Sequence, residues 1–273
     1  GITMGFGLGL ACAAKFRVVT ERSLLAMPEC AIGISPDVGF SAMAAALPVP
    51  GLGRCMALTG WRLTGPEALA AGLATHLVPW KGLGALKEKL RCLNWEEEAS
   101  KVQLAQILRE ETLSLDSVDS GLNDTILQVL SQTFTPSTSA KEIRDRMRAL
   151  SADSEVDADV KSWLEQRLSG FEKGCPMTQE VVQCLMDQAD QELQLLEAPE
   201  ESDRHELLCS ALERDYATLM RLLRAGDFYE GVRAALIDKD SAPQWMADLD
   251  SLDPSEVRGA IAPLPDSQRI DLS

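Results

Sequence analysis

Histidine is almost missing from these 273 residues; there are two, His76 and His205. Neither stands in a recognised metal-binding motif, so no metal site is expected. Seven cysteines (12, 30, 55, 92, 175, 184 and 209) are odd in number, scattered, and never arranged as C-x-x-C. They read as buried, reduced thiols, which suit a reducing compartment. No apolar run reaches the length of about 18 residues that a membrane-spanning helix needs. No fixed repeat is present either. His76, in LATHLV, sits on an expected strand and reads as a satisfied core or edge histidine.

Positive charge is short overall, 26 Lys+Arg against 42 Asp+Glu, a net of −16. The shortage is local. Residues 1–92 hold 9 basic and 5 acidic residues, a net of +4, and the remainder holds 17 and 37, a net of −20. A neutral-to-basic front suits an anionic ligand. The acidic back reads as solvated surface or, more sharply, as a docking face for a basic partner. It disfavours direct nucleic-acid binding, for which no motif is present.

Glycine is plentiful where it matters. Residues 1–37 read GITMGFGLGLACAAKFRVVTERSLLAMPECAIGISPD, with glycines at 1, 5, 7 and 9 before a small, apolar run to Ala14. Such a pattern lets the backbone turn tightly, lets a ligand approach it, and opens a helix whose first N–H groups point outward. Two carboxylates follow, Glu29 after Pro28 and Asp37 among Gly33, Pro36 and Gly39. Backbone donors and two loop-borne carboxylates suit acyl chemistry. The donors hold a developing oxyanion, and a carboxylate attacks or activates water. Pairing the carboxylates also gives a reason for one raised pKa. The plainer alternative is two carboxylates capping turns.

Helices are expected at Met4–Ala14, Phe40–Leu47, Gly53–Thr59 and Pro66–Ala71, the last capped by Thr64. Strands are expected at Phe16–Thr20, Leu24–Met27 and Ala74–Val78, and the alternation argues for an α/β architecture. From Leu83 the spacing is helical: Leu83–Leu93, Ala99–Thr112, Asp119–Gln132, Ala140–Leu150, Asp157–Gly170, Thr178–Glu197 and His205–Leu223, the last ended at Gly226. The stripe Val181, Val182, Leu185, Met186, Leu193 and Leu196 reads as core packing. Glu197–Arg204 reads as an acidic loop and the tail beyond Pro263 as frayed. The expected organisation is a core over 1–82, a helical region over 83–197, and a C-terminal helix and tail over 205–273 packing back on the core.

The motifs GITMGFGLGL, FRVVTE, AMPECAIGISPDVG, LTGWRLTGPEALAAGLATHLV and GDFYEGVRAALIDKDSAPQW resemble the 3-hydroxyisobutyryl-CoA hydrolases of the crotonase (enoyl-CoA hydratase/isomerase) superfamily. The resemblance is dense over 1–80 and 226–245 and looser between. It implies a crotonase spiral of ββα units, followed by a mainly helical C-terminal region. It also implies thioester hydrolysis in valine breakdown in the mitochondrial matrix. Coenzyme A is then part of the substrate, and no separate cofactor is needed. By this resemblance Glu29 attacks or activates water, and Asp37 orients it or handles the second proton. The Phe6 backbone N–H, beside Gly5, stands at the position of the second oxyanion donor. Lys239, after Phe228, Glu230 and Gly231, is the candidate contact to a coenzyme A phosphate. The chain starts at Gly1 without an initiator Met and reads as lacking an N-terminal part with the first strands and the other donor.

Three departures stand out. Phe6 replaces a glycine, Phe40-Ser41-Ala42 replaces a glycine run, and Gly9 stands where hydratases of the superfamily carry a second glutamate. Two aromatic intrusions beside the pocket and the acidic back half support an alternative. The chain is then a crotonase-fold accessory subunit of a large mitochondrial protein or ribonucleoprotein complex, such as the small subunit of the mitochondrial ribosome.

Overall fold

The computed structural model describes residues 1–95, 99–114, 118–196, 201–268 and 270. The chain opens with a strand, β1 (Ile2–Met4), which pairs in parallel with β3 (Leu24–Ala26), Ile2 opposite Leu24 and Met4 opposite Ala26. The expected helix over Met4–Ala14 therefore begins later, as α1 (Phe6–Cys12). Gly5 makes the turn between them at φ 53, ψ −129, a conformation barred to residues with a Cβ.

β3 pairs antiparallel with β4 (Leu63–Thr64), a strand too short to show any alternation in the sequence. A second sheet joins β2 (Val18–Val19) in parallel to β5 (His76–Leu77). Parallel partners need crossover connections, and here α2 (Phe40–Ala45), α3 (Leu52–Thr59) and α4 (Gly65–Ala70) lie between them. α4 starts as its sequence dictates. Thr64 Oγ1 accepts the Glu67 N–H at 3.3 Å, Glu67 Oε2 accepts the Thr64 N–H at 2.6 Å, and Pro66 occupies the first turn.

The helical region follows: α5 (Leu83–Arg91), α6 (Ala99–Glu111), α7 (Asp124–Thr133), α8 (Ala140–Ala152), α9 (Ala158–Glu172) and α10 (Pro176–Gln194). In α10 the stripe Val181, Val182, Leu185 and Met186 is buried as expected, while Leu196 lies past the helix end. One hydrophobic cluster joins Leu8, Phe40, Leu52 and Met56 of the front to Phe134, Ile143, Leu164 and Met186 of the helical region. Each such side chain contributes about 1.5–3 kcal/mol on leaving water, so the two regions stabilise each other. Arg54 of α3 is a buried charge beside this core. It donates to Gln183 Oε1 at 3.0 Å and pairs with Asp187 at 2.7 Å and with Asp190, all on α10.

Of the expected acidic loop Glu197–Arg204, residues 197–200 lie outside the described residues. The rest is not loop: residues 201–204 open α11 (Glu201–Ala225), because helical spacing continues without a break into His205. Shorter elements follow: α12 (Asp227–Val232) with a π-turn over Arg233–Ile237, α13 (Pro254–Ile261), and a 3-10 turn over Asp266–Gln268. Of the tail beyond Pro263, expected to fray, residues 264–268 and 270 are described. The Pro263 carbonyl accepts from Arg221 Nη2 at 3.1 Å, and Ile270 lines a cavity with Tyr216 and Ala217 of α11.

Candidate active site

Glu29 stands in a short 3-10 turn (Glu29–Ile32) directly after β3, closed by Gly33 at φ 76. Two glycines fasten this turn to the end of the chain. A Cβ on Gly33 would run into the Asp227 carbonyl, and one on Gly231 would run into the Ile32 backbone. The Cys175 N–H, at the start of α10, donates to the Cys30 carbonyl at 2.8 Å. Asp227 is buried, with its Oδ1 accepting from the Met246 N–H at 2.9 Å. The distant motif GDFYEG thus packs directly against the Glu29 turn.

The Glu29 carboxylate lies against Gly5, at the point where β1 turns into α1. A Cβ on Gly5 would collide with Glu29 Oε1. Glu29 is 7% exposed, and its Oε2 is buried without a hydrogen-bond partner. Burial pushes its pKa up to about 7; its own backbone opposes this and Asp37 adds to it. A carboxylate held ready to take a proton near neutrality follows from that environment.

Gly5 itself is not an open donor. Its N–H goes to the Ala26 carbonyl at 3.1 Å. What it contributes is the missing Cβ. The Phe6 N–H, at the first position of α1, has no acceptor within the helix. The Phe6 ring is 68% exposed and lines an apolar cavity of about 210 Å³ with Gly9, Leu10, Val38, Met43 and Leu208. Phe40, expected as a second aromatic beside the pocket, is instead fully buried in the main core. Its side chain faces the core from α2 and does not line the cavity at Phe6.

Asp37 is half-buried, and burial raises its pKa. The turn that carries it is strained: Val38, a β-branched residue, has φ 56, which costs on the order of 1–3 kcal/mol. Packing on both sides holds it there. Val38 Cγ2 fills the place a Cβ on Gly9 would occupy, and Gly39, at φ 73, lies against Leu208 of α11. The Gly39 N–H donates to Asp215 Oδ2 at 2.8 Å. Asp215 is a third carboxylate in this cluster that the sequence did not reveal. It sits 176 positions from Gly39, in a helix whose spacing reads as ordinary packing. Burial, followed by Asp37, lifts its pKa to about 7, against the pull of the Gly39 N–H and Arg214.

The remaining candidates lie elsewhere. Lys239 is exposed, just past the π-turn, at φ 56. Its neighbour Arg233 is committed to Glu230 at 2.8 Å and to Asp238 and Asp240 at 2.6 Å. His76 is a half-buried strand residue whose Nδ1 meets Thr75 Oγ1 at 2.7 Å, and burial lowers its pKa. Among the described residues no three His, Cys, Asp or Glu side chains gather as metal ligands, and no helix is long and apolar enough to cross a membrane.

The family model described as Enoyl-CoA hydratase/isomerase matches residues 1–261. This chain belongs to that family. Among the family's curated proteins, the 3-hydroxyisobutyryl-CoA hydrolase-like protein 5 of Arabidopsis thaliana is 33% identical over 261 residues, 94% of this chain and 61% of its own length. The mitochondrial 3-hydroxyisobutyryl-CoA hydrolase of Homo sapiens is 34% identical over 253 residues, 91% of this chain and 58% of its own. The chain thus spans about three fifths of these relatives. An enoyl-CoA hydratase structure from Rhodobacter sphaeroides superposes with a TM-score of 0.72 at 27% identity, over all of this chain and 68% of that one. A carnitinyl-CoA dehydratase from Mycobacterium thermoresistibile reaches 0.75 at 23% identity, over 97% and 66%, and bears on the fold alone. The fold is that of the crotonases, an α/β core with a helical C-terminal region.

Proposed function

We propose that this chain supplies the carboxylates of an acyl-CoA thioester hydrolase that converts 3-hydroxyisobutyryl-CoA to 3-hydroxyisobutyrate and coenzyme A. The observation that carries the reading is the buried Glu29 carboxylate, one oxygen unpartnered, set against the Gly5–Phe6 helix start. In the reaction the ionised Glu29 takes a proton from water as the water oxygen bonds to the thioester carbon. The carbonyl oxygen gathers charge and accepts the Phe6 N–H. The C–S bond then breaks, and the coenzyme A sulfur leaves with the proton that Glu29 took from water, which returns Glu29 to its ionised form. Preorganised donors of this kind act only on the developing charge. Asp37 raises the proton affinity of Glu29 and receives the second proton. With Arg233 held by three carboxylates, Lys239 is the basic residue of this segment left to meet a coenzyme A phosphate.

Hydration of an enoyl-CoA fits less well. The second glutamate of that chemistry would stand at position 9, where any Cβ meets Val38. The names of the human and bovine relatives include the mitochondrion, and a place in the matrix, within valine breakdown, accords with this chemistry. The accessory-subunit reading keeps the net charge of −20 after residue 92 but loses Phe40 as an argument. Two measurements test the proposal. Full-length protein mixed with 3-hydroxyisobutyryl-CoA should release free thiol. A sized mitochondrial lysate should show it as a monomer or small oligomer. A well-folded protein without turnover that co-migrates with a megadalton particle would replace this reading with the accessory one.

A further inference from the structure

The Asp37 charge adds to the raised pKa of Glu29, and contacts from outside hold the turn 37–39 that carries Asp37. Apolar packing supplies two: Val38 in the notch at Gly9 of α1, and Leu208 of α11 against Gly39. The Phe40 N–H bonds back to the Asp37 carbonyl at 3.0 Å, a bond internal to the turn. The polar anchor from elsewhere in the chain is Asp215, 3% exposed, whose Oδ2 accepts the Gly39 N–H. Its Oδ1 is buried without a partner. A carboxylate left half-satisfied in a core is costly unless its position is needed. Asp215 has no contact with the carboxylate of Glu29 among the hydrogen bonds it makes, so it acts on the chemistry through another residue.

We propose that Asp215 is a positioning residue: its bond to Gly39 fixes the strained turn that carries Asp37, and so holds Asp37 in place beside Glu29. The effect on turnover rests on the hydrolase reading above; the effect on the turn does not.

The test compares Asp215→Ala with Asp215→Asn in the full-length protein. Asparagine keeps an oxygen that accepts the Gly39 N–H and alanine does not. With 3-hydroxyisobutyryl-CoA, Asp215→Ala should lower kcat by about 10²-fold, the loss that roughly an ångström of misplacement causes. KM should stay close to wild type, and Asp215→Asn should recover most of kcat. Amide hydrogen exchange gives a readout that needs no activity. Protection of Gly39 and Phe40 should fall in Asp215→Ala and persist in Asp215→Asn, with other helices unchanged. Full kcat and protection in a folded Asp215→Ala would overturn the proposal, as would equal losses in a folded Asp215→Asn. If the wild type shows no thioester cleavage, the hydrolase reading fails, and hydrogen exchange still decides whether Asp215 anchors the turn. Should Asp215→Ala not fold, Asp215→Asn alone decides, since loss of kcat or of protection there refutes the anchor.

Discussion

Replacing Gly5 with alanine strikes the fold and the site at one atom. The new Cβ meets two obstacles. The backbone at φ 53, ψ −129 is closed to L side chains, and keeping it costs on the order of 1–3 kcal/mol. The methyl also lands on Glu29 Oε1, so the buried carboxylate must move or the β1–α1 turn must open. The expected loss of about 2 kcal/mol corresponds to a Tm lower by roughly 4–8 °C for a domain of this size. A displacement of the base by about an ångström lowers kcat by about 10²-fold. The assays are thermal unfolding and coenzyme A release on the same preparation. Gly84→Ala is the control: it lies in α5 with nothing within 4 Å of the added Cβ, and it should stabilise by about 0.4–1 kcal/mol. A Gly5→Ala protein with wild-type Tm and wild-type turnover would show that Glu29 does not lie where the Gly5 contact puts it.

Four further outcomes follow from the same structure. The folded pKa of Glu29, about 7 against an ordinary 4.5, and that of Asp215, about 7 against 3.8, are both raised. Their contribution to stability is complete below the ordinary values and disappears as pH rises through about 7. Denaturation should therefore show wild-type stability falling between about pH 4 and pH 7 and levelling off above, and Glu29→Gln should remove a share of that fall of order 3 kcal/mol. Turnover should run the other way, with kcat/KM rising through about pH 7 as the base ionises. Arg54→Leu leaves Asp187 and Asp190 without their buried partner and should cost about 3–5 kcal/mol in urea unfolding. Thr64→Ala removes the α4 capping box and should cost about 0.5–2 kcal/mol by the same measurement, with kcat unchanged.

Much of this was legible in the sequence because it is local. Glycines, prolines and the Thr64–Glu67 spacing mark helix starts directly, and Glu29 and Asp37 are exposed to view by the turn residues around them. The short strands were harder. β1 and β4 owe their form to pairing with β3, and three or two residues carry no usable alternation. The direction of Phe40 is not legible, because the loss of a glycine says nothing about which way the replacing side chain points; α2 turns it into the core. Asp215 was invisible for a related reason. Its partner is a backbone N–H far away in the chain, and a backbone amide leaves no trace in residue identity. The same holds for the grip of Asp227 and Gly231 on the Glu29 turn.

The central claim is that Glu29 is the working base of a thioester hydrolase. The most direct measurement is free coenzyme A released from 3-hydroxyisobutyryl-CoA by full-length wild type and by Glu29→Gln, each shown to be folded. The carboxamide is nearly the same shape and takes no proton, so the rate should fall by about 10²–10⁴-fold with the fold intact. Equal rates from the two proteins would contradict the claim.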